Sequence, residues 1–329
     1  MISPSDREKE EKILSKPSKK KKGRWTKNDT ELTVMALPTT IWYILFCFLP
    51  MFGLIIAFKN YKITGGKSFI YNLFHSDWAG FKNFSFLIRS NDLFVILRNT
   101  ILYNLAFIAL GMVFSVGLAI MISLLHNKRA SKVYQTMMFF PYFMSWVVVA
   151  SVFKMILDPN VTGVVNSLLL KANMINEPIY FLGDSKYWRG TFYVMNVWKD
   201  TGWGTILFLA TLSGISPDLY EAAQIDGANR WKRLIYITLP ALANTIITVF
   251  ILNLAKVMNL FESVFVTMNN AVLDVAEVLQ TYVYRKTFSS GNSDYGYTTA
   301  VGLFKSFVGM ILVLSCNYAS KKVRGRGIV

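Results

Sequence analysis

Cysteine and histidine are scarce in this 329-residue chain, which contains two of each. Cys47 and Cys316 lie within apolar stretches, and His75 and His126 are far apart in the sequence. A disulfide framework or a structural metal site needs several such residues at short, regular spacings. We therefore predict no disulfide, no metal site, no cofactor and no histidine-based catalytic centre.

Acidic residues are also few, with 19 Asp and Glu against 35 Lys and Arg, which gives a formal net charge of +16. In a soluble protein this excess would indicate nucleic-acid binding. Here 53% of the residues are hydrophobic, they lie in long runs, and the basic residues cluster at the ends of those runs. This pattern is typical of an integral membrane protein, so we predict a lipid bilayer as a partner and no nucleic acid.

Six apolar runs are long enough to cross a bilayer, and they predict an all-α, polytopic membrane protein with six transmembrane helices. The runs are 34–57, 99–125, 134–156, 191–213, 241–262 and 298–319. Pro38 lies near the start of the first run, and Pro50 lies within it, where it is expected to disturb the helix.

The distribution of Lys and Arg predicts the orientation of the chain. One side of the predicted membrane holds 20 of these residues and the other holds 11. Because positive loops stay inside, both termini and the segment 214–240 are placed in the bacterial cytoplasm. The predicted organisation is a disordered basic tail at 1–31, a first transmembrane helix with an extracytoplasmic loop at 32–98, a five-helix core at 99–320, and a basic cytoplasmic C-terminus at 321–329.

The most specific polar sequence lies between the fourth and fifth runs. It reads Glu221-Ala222-Ala223-Gln224-Ile225-Asp226-Gly227, and Ile237-Thr238-Leu239-Pro240 follows after nine further residues. The helix formers at its start, the flexible Gly227 and the helix-opening Pro240 predict a helix, a turn and a second helix. An alternative is an amphipathic connector in the headgroup layer, with Arg230, Trp231, Lys232 and Arg233 at the interface.

Polar residues inside the fourth and fifth runs are candidates for a solute pathway. They are Trp198, Lys199, Asp200, Trp203, Asn253, Lys256 and Asn259. A charge at the centre of a membrane helix costs roughly 2.5–3.5 kcal/mol, so such residues usually face a cavity or a partner. Amides, charges and aromatic rings at similar depth suit a hydrophilic solute such as a sugar.

Two details of this polar set follow from helix geometry. Asn253, Lys256, Asn259 and Glu262 are three residues apart, so on a regular helix they wind part-way round the axis and cannot all line one cavity. The first three are predicted to do so, without Glu262. The alternative interpretation is that these groups hold helices together, with Lys256 paired to Asp200.

The segment 263–297 contains a predicted amphipathic helix. Its sequence Asp274-Val275-Ala276-Glu277-Val278-Leu279 is followed by Thr281-Tyr282-Val283-Tyr284-Arg285, and then by a loop around Gly291. We expect this segment to pack over the ends of the spans or to contact a soluble partner.

The pattern E-A-A-x(3)-G-x(9)-I-x-L-P resembles the cytoplasmic coupling loop of ATP-binding-cassette (ABC) importer permeases. Further motifs extend the resemblance to the carbohydrate branch of that family, which takes oligosaccharides and polysaccharide fragments. They are Gly202-Trp203-Gly204-Thr205-Ile206-Leu207, Gly214-Ile215, Pro217-Asp218-Leu219-Tyr220, Asp226-Gly227-Ala228-Asn229-Arg230-Trp231, Thr281-Tyr282-Val283-Tyr284 and Gly302-Leu303-Phe304-Lys305-Ser306.

The resemblance implies a type I ABC importer permease fold and a set of partners. These are a second, homologous permease that forms a heterodimer with this chain, two ATP-binding subunits, and an extracytoplasmic solute-binding lipoprotein. It also implies that the ATPase contacts Glu221, Ala222, Ala223, Asp226, Gly227 and Arg230. Ligand contacts vary with the sugar in that family, so the pathway residues rest on membrane physics alone.

Two other classes of function remain open from the residues themselves. A self-sufficient channel or secondary transporter would use the intramembrane Lys and Glu as ion or proton sites. A membrane-embedded enzyme would need a convergent nucleophile or metal constellation, and the sequence offers none. No ATP site is predicted either, because Gly66-Lys67-Ser68 has Tyr61 where a phosphate-binding loop requires its first glycine.

Overall fold

The computed structural model describes residues 26–85, 91–160, 163–288 and 294–324. These residues are almost entirely helical, so the all-α prediction holds apart from one pair of two-residue strands. The chain divides into two compact units, Met1–Ile55 and Ile56–Val329. The predicted disordered tail at 1–31 lies outside the described residues up to position 25. Its end was wrong, because Thr26 caps a helix that begins at Lys27.

The described part of the first unit is one long helical run, whose last element ends at Phe58, three residues into the second unit. Helix α1 spans Lys27–Tyr43 and is followed by a π-helix at Ile44–Phe48 and a 3₁₀-helix at Leu49–Phe58. Pro50 has no amide hydrogen, so a regular α-helical hydrogen bond is missing there and the helix changes its hydrogen-bonding pattern. Most apolar side chains of this run are exposed, as expected for a helix surrounded by lipid.

The second unit begins with a small strand module. Strands β1 (Lys59–Asn60) and β2 (Asp77–Trp78) are antiparallel, and α2 (Phe69–His75) lies between them in the sequence. The side chain of Asn83 closes the module, because its Nδ2 donates to the carbonyl oxygens of Ala57 and of the first residue of β1, both at 2.9 Å.

Two long helices, α3 (Asn91–Ser123) and α7 (Ser185–Ser213), form the core of the second unit. The rings of Tyr103, Trp188 and Phe192 are buried where these helices meet, with centroids 4.7–5.8 Å apart. Close packing of this kind is what holds helices together in a bilayer, where lipid is as apolar as the side chains.

A sharply bent helix pair packs against α7. Helix α4 (Lys128–Phe139) continues into a 3₁₀ turn at Phe140–Phe143, and α5 (Trp146–Ile156) then leaves at 102° to that direction. Ser145 adopts an extended backbone and caps α5, which starts a new helix instead of continuing the old one. The predicted span 134–156 is therefore a bent pair and not one continuous helix.

Two glycines of α7 permit its closest approaches to neighbouring helices. A Cβ atom on Gly202 would overlap the carbonyl oxygen of Met138 in α4, and one on Gly204 would overlap the side chain of Ser115 in α3. The hydroxyl of Ser115 donates to the carbonyl oxygen of Thr201 at 3.0 Å. Small residues at such crossings let helix backbones approach closely, which explains the Gly202-Trp203-Gly204 motif.

The other described helices are α6 (Val164–Lys171), α8 (Pro217–Ile225), α9 (Arg230–Arg233), α10 (Leu239–Leu254), α11 (Glu262–Thr267), α12 (Leu273–Ala276), α13 (Leu279–Phe288) and α14 (Tyr295–Arg324). A π-helix at Leu234–Thr238 joins α9 to α10. The predicted span 241–262 is wrong at its end, because α10 stops at Leu254. The chain turns there and buries Val257 and Met258 in a core cluster that includes Leu93 and Ile96 of α3.

Helices long and apolar enough to cross a membrane are fewer than six within the described ranges. Four qualify, at Lys27–Phe58, Leu93–Ser123, Arg230–Leu254 and Tyr295–Lys322, and the bent pair α4–α5 makes a fifth if it is counted as one span. Helix α7 has 29 residues but does not qualify, because charges and amides interrupt its apolar sequence. The predicted number of six spans is thus not confirmed by length and composition.

The segment from α11 to α13 packs over α3 and α7. Asn99 of α3 donates from Nδ2 to the carbonyl oxygens of Asp274 and Glu277, at 3.3 Å each. Trp188 of α7 donates to the carbonyl oxygen of Thr267 at 3.4 Å. The amphipathic helix predicted from Asp274 to Arg285 is broken at Glu277, whose backbone is extended, so that only its second half is present, as α13. The loop predicted around Gly291 lies outside the described residues.

Candidate functional site

A cavity of about 340 Å³ lies beside the break at the end of α10. Four of the predicted pathway residues line it: Asp200, Asn253, Lys256 and Asn259. The complete lining is Asn104, Phe107, Ile108, Trp146, Asn196, Asp200, Asn253, Lys256, Asn259, Leu260, Phe261, Glu262 and Ser263. The structure therefore brings residues from α3, α5, α7, the end of α10 and the segment after it to one place.

The chemistry of this cavity suits a polyhydroxylated solute. Four asparagines, Asn104, Asn196, Asn253 and Asn259, each offer an N–H donor and a carbonyl acceptor, so sugar hydroxyls can both donate and accept. The aromatic rings among the lining residues supply apolar surface for the faces of sugar rings. The wall holds both charge signs, from Asp200, Lys256 and Glu262.

Glu262 lines this cavity together with Asn253, Lys256 and Asn259, so the prediction that it is excluded was wrong. A regular helix through all four positions would turn Glu262 away from the other three. Because α10 ends at Leu254, the later residues do not follow a helical path and their side chains converge.

Lys199 is not among the lining residues, although Asp200 next to it is. Lys199 is 7% exposed, and its Nζ donates to the carbonyl oxygen of Tyr142 at 3.1 Å. The same Nζ lies 5.3 Å from the ring centroid of Tyr142 and 5.6 Å from that of Trp146. Neighbouring residues on a helix point in different directions, so Lys199 faces the bend between α4 and α5 while Asp200 faces the cavity.

The alternative that Lys256 pairs with Asp200 was wrong. Where the chain is described, the ion pairs within 4.0 Å are Lys199 with Asp200, at 3.9 Å, and Arg285 with Glu277. Asp200 also accepts a hydrogen bond from Nδ2 of Asn196 at 3.2 Å. Lys256 and Asp200 line the same cavity without forming a contact pair.

The structure places Trp198 and Trp203 outside this cavity. Trp198 contacts Phe153 of α5 edge to face, with ring centroids 5.6 Å apart. Trp203 stacks on Tyr142 at 5.3 Å between centroids. Both tryptophans therefore pack against the bent pair of helices, whereas the aromatic ring that the bend brings to the cavity is that of Trp146.

A second cavity, of about 480 Å³, lies between the end of α10 and α14 and shares Asn259 with the first. Its lining is Ala255, Met258, Asn259, Lys305, Ser306, Gly309, Met310, Val313 and Leu314. Lys305 and Ser306 belong to the Gly302-Leu303-Phe304-Lys305-Ser306 motif, which the pathway prediction did not use.

The predicted coupling segment forms α8, the turn after it, and α9. Ser216 caps α8 by accepting from the amide of Asp218 at 3.3 Å, and Pro217 is its first residue. Of the predicted contact residues, Glu221, Ala222, Asp226, Gly227 and Arg230 are exposed, and Ala223 is half-buried.

Gly227 has a φ of +75°, which places it in the left-handed region that favours glycine. Its amide donates to the carbonyl oxygen of Gln224 at 3.1 Å, and the amide of Ala228 donates to that of Ala223 at 2.8 Å. These two bonds form a Schellman motif, the usual way in which a helix ends on a glycine. The predicted helix, turn and helix are therefore present, and Gly227 makes the turn.

Two side-chain contacts tie α8 to the helical segments that follow the turn, α9 and the π-helix at Leu234–Thr238. The hydroxyls of Tyr220 and Thr238 are 3.0 Å apart, and Arg233 donates to the side-chain oxygen of Gln224 at 3.4 Å. Ile225 is 87% exposed and Trp231 is 71% exposed. The segment is thus a braced helical hairpin with apolar side chains on its surface, a form suited to docking on another protein.

Sequence reasoning missed several cavity residues. Asn104 and Asn196 are amides within predicted spans. Polar groups inside a membrane helix usually face a cavity or a partner, so both could have been predicted from the sequence. Nothing in the sequence indicated Trp146, because its position in the cavity wall depends on the bend between α4 and α5.

Residues 112–325 match the family described as the binding-protein-dependent transport system inner membrane component. The chain belongs to this family. The permease resemblance inferred from the coupling segment and the other motifs is thereby confirmed, and so is a location in the inner membrane. The matched region includes all of α8 and α9. It also includes every lining residue of the two cavities apart from Asn104, Phe107 and Ile108.

Curated relatives of this permease include two proteins of Bacillus subtilis (strain 168). Protein LplB is 38% identical over 307 residues, which cover 92% of each chain. The polygalacturonan/rhamnogalacturonan transport system permease protein YteP is 35% identical over 298 residues, which cover 90% of this permease and 89% of YteP.

Solved structures of a bacterial ABC transporter that imports the acidic polysaccharide alginate have the same fold. One matches with a TM-score of 0.80 and 32% identity, over 91% of this permease and 97% of that chain. The second, in complex with an alginate pentasaccharide-bound periplasmic protein, matches with a TM-score of 0.81 and 32% identity, over 92% and 98%. This permease therefore has a type I ABC importer permease fold, as predicted.

Proposed function

We propose that this permease imports an oligosaccharide or polysaccharide fragment through a pathway that it forms with a second, homologous permease. The observation that carries the proposal is the first cavity, in which amides, charges and aromatic rings from α3, α5, α7, α10 and the segment after α10 converge. The relatives named for polygalacturonan, rhamnogalacturonan and alginate support a carbohydrate solute. Asp200, Asn253, Lys256 and Asn259 are the residues we assign to solute contact.

Lys199, Trp198 and Trp203 have a supporting role in this proposal. They hold the bent helix pair against α7, and the bend brings Trp146 to the cavity. They therefore act on the solute through the shape of the cavity and not by direct contact.

The chain is a transport subunit, and we propose that ATP is hydrolysed on two copies of a separate subunit. The braced hairpin of α8 and α9 is the docking element, with Glu221, Ala222, Ala223, Asp226, Gly227 and Arg230 at the contact. An extracytoplasmic lipoprotein delivers the solute to the opposite side. The similar alginate transporter, which was solved in complex with a periplasmic protein, supports this arrangement.

The proposed topology has six crossings, with both termini and α8 in the cytoplasm. Helix α7 is the crossing that composition alone does not identify. Its polar residues are accommodated because they face α3, the bent pair or the cavity, and lipid does not have to solvate them. The proposed division is a tail before α1, a first helix and loop up to residue 98, a core at 99–320 and a basic end at 321–329.

Uptake by a deletion strain tests the function. A strain without the gene should lose uptake of one class of labelled oligosaccharide, and the intact gene should restore it. The ATPase should co-purify with the tagged permease. Undiminished uptake of every oligosaccharide in the deletion strain would contradict the proposal, and transport by the purified chain alone would indicate a self-sufficient transporter.

A further inference from the structure

We infer that Lys305, together with Asn259 and Ser306, forms a subsite for the carboxylate of an acidic sugar residue. The inference rests on the proposed function and extends it, because it assigns the solute to the oligosaccharides that contain uronic acids. The subsite lies in the second cavity, which adjoins the first at Asn259.

The polar groups of the second cavity suit one carboxylate and its neighbouring hydroxyls. Lys305 supplies an ammonium group with three N–H donors, and Asn259 supplies an amide. The hydroxyl of Ser306 donates to the carbonyl oxygen of Gly302 at 3.1 Å, so its lone pairs point elsewhere and can accept from a sugar hydroxyl. The walls are apolar, from residues such as Met258 and Met310, and leave room for the ring that carries the carboxylate.

The balance of charge favours an anion at this point. The second cavity has one cation, Lys305, and no carboxylate among its lining residues. The first cavity is lined by two carboxylates, Asp200 and Glu262, and by one lysine, Lys256, and Lys199 lies 3.9 Å from Asp200, so its wall has no excess of positive charge. Neither Lys256 nor Lys305 belongs to the ion pairs present in the described part of the chain.

A lysine at membrane depth needs a compensating group, because an isolated charge in apolar surroundings is costly. The half-buried Lys305 lies in the interior of α14 beside Met310 and the other apolar residues of the cavity. A solute carboxylate would supply the missing charge during transport, and a neutral sugar would not. Lys305 is therefore assigned to discrimination between acidic and neutral oligosaccharides.

The test measures uptake in the deletion strain complemented with wild type, Lys305→Gln, Lys305→Arg or Lys154→Gln. Lys154 is a matched control, since it is also an intramembrane lysine and lines neither cavity. The probes are oligogalacturonate, oligoalginate and methyl-esterified oligogalacturonate, in which the same sugar has no charge. We expect Lys305→Gln to lower uptake of the acidic probes roughly 10-fold or more, since a hydrogen bond to a charged group is lost. Lys305→Arg and Lys154→Gln should retain most of the uptake.

Three kinds of result would overturn the inference. Uptake of neutral oligosaccharides but not of acidic probes by the wild type would reject the uronate assignment and leave the proposed function intact. No uptake of any oligosaccharide would reject the proposed function itself. Equal loss for acidic and esterified probes, or loss of the second permease from Lys305→Gln preparations, would mean that Lys305 acts in assembly. Membrane abundance and co-purification of the second permease are therefore measured for every variant.

Discussion

The Nζ atom of Lys199 donates a hydrogen bond to the carbonyl oxygen of Tyr142 at 3.1 Å, and this contact joins α7 to the bend between α4 and α5. Trp203, one turn further along α7, stacks on the ring of the same tyrosine with centroids 5.3 Å apart. Two positions on one face of α7 thus hold the bend in place. The bend in turn sets the position of Trp146 in the wall of the first cavity.

Replacement of Lys199 by methionine should destabilise the permease, because it removes this hydrogen bond. A buried hydrogen bond to a charged group is worth about 1.5–3 kcal/mol. We expect a lower unfolding temperature of the purified complex and reduced uptake. Lys154→Met is the control, because Lys154 lies on the exposed side of α5. Equal unfolding temperatures for both variants would show that the Tyr142 contact is not needed.

Gly202→Ala should lower the abundance of the permease in the membrane. The new Cβ would overlap the carbonyl oxygen of Met138, so α7 and α4 would have to separate at a cost of about 1–3 kcal/mol. Gly190→Ala is a control within the same helix, because a Cβ at that position meets no atom within 4 Å. Immunoblots of membranes measure the effect, and similar levels for both variants would contradict the packing described here.

Gly227→Ala should weaken coupling to the ATPase without affecting membrane insertion. At a φ of +75° a side chain costs about 1–2 kcal/mol, so the turn after α8 would open. Gly214→Ala is the matched control, since that glycine precedes the same hairpin with a φ of −85°. Sugar-stimulated ATP hydrolysis in reconstituted vesicles is the measurement.

Glu221→Lys should impair the same step for a different reason. The side chain is exposed near the middle of α8, so the change places a positive charge on the proposed docking surface without disturbing the fold. We expect less ATPase to co-purify while the second permease is retained. If both the Glu221 and Gly227 variants show wild-type co-purification and hydrolysis, the hairpin does not dock the ATPase and is only a connector at the membrane interface.

Asp200→Ala and Lys256→Ala should each reduce uptake, and the double variant should not recover it. The reason is that the two side chains line one cavity but form no ion pair with each other. Recovery in the double variant would instead indicate a structural pair. Co-purification of the second permease checks that assembly is preserved, and normal uptake in both single variants would remove these residues from the pathway.

Fusions to a reporter that is active only in the cytoplasm should test the topology. The excess of Lys and Arg predicts activity after Arg326 and near Lys128, and no activity near Asp184. Activity near Asp184 would contradict six crossings, because it lies immediately before α7, the helix whose crossing is in question.

The sequence by itself determined the features that depend on local chemistry. The hairpin of α8 and α9 is one, because Ser216 and Pro217 start a helix and Gly227 ends it through interactions within a few residues. The long apolar runs are another, since a bilayer requires each crossing backbone to satisfy its own hydrogen bonds.

Only the tertiary structure decided which polar side chains share a cavity. The end of α10 at Leu254 and the bend before α5 arise where buried packing competes with regular helix geometry. Those two breaks bring Glu262 and Trp146 into the first cavity. The Lys199 side chain instead points from α7 towards the carbonyl oxygen of Tyr142 and does not line the cavity. Helical periodicity holds only while a helix continues, so contacts beyond a break depend on the neighbours that the folded chain supplies.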